Sequence, residues 1–121
     1  MSNTQIEAFE FWFRSKYNAE KISEIQLAFT QEIDGEKVPT FIFFFGGMWS
    51  VVCPFMHLDE NSKSELFELI NEHSDRSAFG IMLLEDLLSI VNCSTNFNAA
   101  DADEFIHEFA RHALELMRAA G

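Results

Sequence analysis

Cysteine is nearly absent. Only Cys53 and Cys93 occur, 40 positions apart, with no CxxC spacing and no cluster of Cys and His for zinc, so a disulfide framework and a structural zinc site are both excluded. Two reduced, buried thiols are expected. Proline occurs twice and glycine five times, with no low-complexity tract to serve as a linker, so residues 1–121 read as a single domain. Basic residues are scarce as well: eight Lys and Arg stand against 20 Asp and Glu, a net charge of −12 at pH 7. Nucleic acid is excluded as a partner, since its phosphates would be repelled where Lys and Arg ought to neutralise them. The longest apolar stretch, Thr40 to Met56, is too short for a membrane span and is broken by Gly46-Gly47 and Pro54. Met1 to Glu10 has neither a basic n-region nor a small-residue cleavage site, so a cytoplasmic protein is expected.

What is abundant is phenylalanine, 14 residues in a chain that is 48% hydrophobic. Such a chain can bury a core. Ile6, Phe9, Phe13 and Tyr17 recur at spacings of three and four and predict a helix over Thr4 to Tyr17, with Phe11 and Trp12 off that stripe. From Ser23 the period changes to two. Ile25, Leu27, Phe29 and Ile33 predict a strand with one wet face, and Asp34-Gly35 then predicts a two-residue hairpin turn. Val38 to Phe45 is apolar on both faces, Gly46-Gly47 gives a second turn, and Met48 to Met56 returns with Trp49, Val51, Cys53 and Phe55 on one side. Pro54, without a donor, predicts an edge or an exit from the sheet.

Ser62-x-x-Glu65 is a capping box for a helix running to about His73. Ser77 to Leu84 and Leu87 to Thr95 predict a second hairpin, turning at Glu85-Asp86. Asp101-x-x-Glu104 predicts the start of a closing helix with a wide apolar face made by Phe105, Phe109, His112 and Leu116 together with Ile106, Ala110, Ala113 and Met117. The expected fold class is therefore α+β: helix, three-strand antiparallel meander, helix, two-strand hairpin, helix.

No pattern of catalytic residues survives inspection. Glu104-x-x-His107 with Glu108 and His112 has the spacing of one half of a di-iron carboxylate site, but the second copy and the two further glutamates are missing. Asp59-x-Asn61 opens like a calcium loop, yet Ser64 stands where glycine is required and Ile70 where a bidentate glutamate belongs. The cysteines fall in strand centres, where burial makes a thiol inert. No glycine-rich phosphate loop occurs. No cofactor and no metal are expected, and no catalytic residue is assigned.

Charge is unevenly placed. Residues 1–22 hold three acids and three bases, whereas residues 23–121 hold 17 acids and five bases. An acidic body with spare apolar surface suits basic or apolar peptide segments. The double-sided strand and the off-stripe helix residues predict that Phe11, Trp12, Phe44 and Trp49 form a partner or dimer surface, with a homodimer covering the second sheet face. The alternative is a sheet curled so that a helix seals that face within one chain.

The segments LFELINEHS, AFGIMLLEDLLSIVNCST and ADADEFIHEFARHALELM, from Leu66 to Met117, resemble the helix, hairpin and closing helix of the YbjN-type domain family, whose fold is similar to that of the class I chaperones of type III secretion. Where those chaperones carry a Leu-Gly-Leu-Pro-like turn this chain reads KYNAEKIS, which favours the YbjN side. The resemblance implies a small, non-catalytic, often dimeric protein that binds another polypeptide as a chaperone-like or regulatory factor. A small-ligand binder with a Phe-lined cavity, or an enzyme using Glu104, His107 and His112, are the alternatives.

Overall fold

The computed structural model describes residues 3–57, 80–84 and 86–120. In chain order these are α1 (Asn3–Tyr17), β1 (Glu20–Ser23), β2 (Gln26–Ile33), β3 (Glu36–Phe45), β4 (Met48–His57), β5 (Gly80–Leu84), β6 (Leu87–Ser94) and α2 (Ala99–Ala120). The helix predicted from Ser62 to His73, the Asp59 loop and residues 77–79 of the second hairpin lie outside the described residues. The chain is α+β, and no helix among the described residues is long and apolar enough to cross a membrane.

The expected three-strand meander followed by a two-strand hairpin is overturned. All six described strands form one antiparallel sheet in the order β1-β2-β3-β4-β6-β5. Two local features account for the difference. The single strand expected from Ser23 to Ile33 is divided at Glu24-Ile25, which turn the chain so that Glu20 pairs with Ala28 and Lys21 with Leu27. Trp49 to Phe55 are all buried, so β4 needs ladder partners on both edges, and β6 fills the second with pairs from Trp49↔Ser94 to His57↔Leu87.

Pro54 is corrected too, since it lies inside a central strand, opposite Ser89 and beside a register shift. On the other edge of β4 the pairing is cut short. The β3–β4 ladder runs from Phe45↔Met48 to Phe41↔Val52, and two residues further along the same register Pro39 comes opposite Pro54. Neither proline has an N–H to donate, so the ladder stops there while β3 continues alone with β2 to Glu36.

Both glycine-bearing turns form as expected. Asp34 (φ 52°) with Gly35 (φ 80°), and Gly46 (φ 54°) with Gly47 (φ 78°), each place two residues in the left-handed region. That geometry matches the twist of the flanking strands. Leu84↔Leu87 closes the β5–β6 hairpin.

The sheet's inner face carries Leu27, Phe29 and Ile33 of β2, Val38, Ile42 and Phe44 of β3, Trp49, Val51, Cys53 and Phe55 of β4, and Leu88 and Ile90 of β6. Phe9 and Phe13 of α1, with Ala102, Ile106, Phe109, Ala110, Ala113 and Leu116 of α2, close over it. The helix stripes read from the sequence are thus the faces that bury, each large side chain contributing about 1.5–3 kcal/mol. Rings meet edge-on at the centre: Phe9 lies 4.8 Å from Phe13, and Trp49 lies 5.8 Å from Phe13 and 5.4 Å from Phe105.

One polar chain crosses this core. Gln31 Nε2 donates to the Thr40 hydroxyl at 3.0 Å and reaches the Ile106 carbonyl at 3.5 Å, and Thr40 Oγ1 lies 3.6 Å from Cys53 Sγ. It ties β2, β3 and β4 to α2 and leaves no buried polar atom unsatisfied among the described side chains. The cap of α2 is Asn98 rather than Asp101, because Asn98 Oδ1 accepts from the Asp101 N–H at 3.1 Å and the Asn98 carbonyl accepts from the Ala102 N–H at 2.9 Å. The helix accordingly begins before the position expected.

Candidate interaction surfaces

The four residues predicted as a partner or dimer surface are not brought together at one surface. Phe11 stands on the solvent side of α1, 73% exposed. Trp12 is half-buried, with its ring 4.8 Å from Phe13 and Lys16 Nζ 5.7 Å over its centroid. Phe44 and Trp49 are core residues at 8% and 1% exposure, a correction to their reading as surface. The physical reason is parity. Trp49 is paired with Phe44 across β3–β4, so both point to the face that α1 and α2 cover. Trp49 also uses its polar atom inward, donating Nε1–H to the Asn96 carbonyl at 2.8 Å, which anchors the loop that leads into α2.

The residues of alternate parity occupy the outer face. Glu20 of β1, Gln26 and Ala28 of β2, and Phe41, Phe43 and Phe45 of β3 lie on the side opposite the two helices, with Ala28↔Phe41 and Gln26↔Phe43 as direct cross-strand pairs, while Ile22 sits at a register shift between Lys21 and Ser23. Ile22 is 51% exposed and Phe45 47%, while Phe41 and Phe43 are half-buried. Ile25, at the β1–β2 turn, is also exposed, and its carbonyl accepts from the Phe44 N–H at 2.8 Å. The sequence expectation put Phe44 rather than Phe45 at the surface, and it did not reach Ile22 because β1 itself was missed.

Acids border this apolar strip. Glu20 is on the strip's face, Glu24 stands in the turn with its side chain 97% exposed, and Glu32 faces Lys37 across β2–β3. Lys21 is engaged on α1, with Nζ 3.1 Å from Glu10 and 4.0 Å from Glu24.

Two further depressions mark the surface. A surface groove of about 300 Å³ runs between Gln5, Ala8, Phe9 and Trp12 of α1 and the Phe97–Ala99 segment. A second, polar depression on α2 is bounded by Asp103, Glu104, His107, Glu108 and Arg111. It contains Glu104, His107 and Glu108 of the four residues weighed for a metal, but no group of three metal-ligating side chains that could hold an ion occurs among the described residues. Asp103 is instead committed to α1: the Tyr17 hydroxyl donates to it and Lys16 Nζ lies 3.1 Å away. The Tyr17 hydroxyl holds the Asp103 carboxyl below the usual carboxylate range, and Lys16 adds to this. Tyr17 in turn is held above the usual phenol range, first by burial and then by the acceptor carboxylate.

Cysteine chemistry finds little purchase. Burial pushes the Cys53 thiol up to about 12, partly offset by its contact with Thr40. Cys93 was expected to be buried and is exposed, since its parity places it away from the helices on β6.

No protein-family model matches this chain, and no curated protein matches it.

Proposed function

We propose that this chain is a non-catalytic protein-binding module, chaperone-like or regulatory, that takes a polypeptide partner on apolar surface of an acidic body. The observation that carries it is apolar surface at the β1–β2 turn and the adjoining end of β3, where Ile22, Ile25 and Phe45 stand about half exposed on a chain of net charge −12. Large apolar side chains grouped in this way, rather than scattered singly, mark interaction surfaces. The role is the one that the resemblance to YbjN-type proteins implies.

A polypeptide is preferred over a second copy because each copy brings the same surplus of acid to the contact. Light scattering after gel filtration, at low and at high salt with reductant, distinguishes the two. A monomer mass is expected, and a dimer that persists at all salt concentrations would reassign the apolar surface to self-association. Binding itself is tested by panning a random 16-residue peptide library against the immobilised chain. Enrichment of sequences with three or more large apolar residues supports the proposal, and retention no better than on a blank surface refutes it.

A further inference from the structure

We draw no further inference here: the strongest candidate, the aromatic-walled surface groove between α1 and the Phe97–Ala99 segment, is an open apolar face, and nothing in the structure shows what covers it.

Discussion

Replacing Trp49 separates a core residue from a surface one. Trp49 is 1% exposed, touches Phe9, Phe13 and Phe105 at ring distances of 5.4–5.8 Å, and donates its indole N–H to the Asn96 carbonyl at 2.8 Å. Trp49→Phe keeps a ring in the pocket but removes that hydrogen bond, worth about 0.5–1.5 kcal/mol net, and part of the buried surface, so a loss of about 2 kcal/mol is expected. Trp49→Ala also opens a cavity and should cost about 3–5 kcal/mol. Measured by urea denaturation with a slope of about 1–3 kcal/mol per molar, the phenylalanine variant should shift the midpoint down by about 1 M and the alanine variant by more. Against a typical domain stability of about 5–15 kcal/mol, the alanine variant approaches the margin of folding. Far-UV circular dichroism supplies the signal, since one of the two tryptophan fluorophores is being removed. Phe11→Ala is the control and should shift the midpoint by no more than about 0.5 kcal/mol in equivalent stability. A Trp49→Ala midpoint equal to that of wild type would refute the inward placement of β4 and restore Trp49 to the surface.

The joint between α1 and α2 should respond to pH at both extremes. Asp103 is depressed, so its contribution is complete above the unfolded carboxylate value of about 3.9 and is lost as pH falls through its lower folded value. Tyr17 is raised, so its contribution is complete below the unfolded phenol value of about 10 and is lost as pH rises through its higher folded value. Because Asp103 is substantially exposed, Asp103→Asn should cost only about 1 kcal/mol at pH 7, and its melting temperature should approach that of wild type as pH falls below the unfolded carboxylate value; a gap that does not narrow on acidification would refute the assignment. The thiols should differ in reactivity. Ellman's reagent should titrate Cys93 in the native protein and Cys53 only after unfolding, because Cys53 is buried and held protonated to about 12. Release of two equivalents from the native chain at pH 8 would show that the β4 centre opens.

Much of the local architecture was legible. The 3.6-residue stripes on α1 and α2 named their buried faces, and Asp34-Gly35 and Gly46-Gly47 named two turns because few residue pairs accept positive φ twice in succession. The cap of α2 was missed by three positions because Asn98 and Asp101 both suit a helix start, and the hydrogen bond between them decides which is the cap. β1 was missed because Glu20–Ser23 is exposed at every position and carries no alternation of burial to read.

The sequence by itself determined which residues alternate together: Phe41 with Phe43 and Phe45, Ile42 with Phe44, Trp49 with Val51 and Cys53. Only the tertiary structure decided which set lies under the helices. A strand of period two presents both of its faces with equal local plausibility when both are apolar, and the choice is made by residues distant in the chain, here Phe9, Phe13 and Phe105 closing on Trp49. The same holds for the joining of β6 to β4, a contact that turn chemistry cannot specify because it is set by the buried edges of β4. Phe45, and in part Phe41 and Phe43, are what that long-range choice left facing solvent on β3.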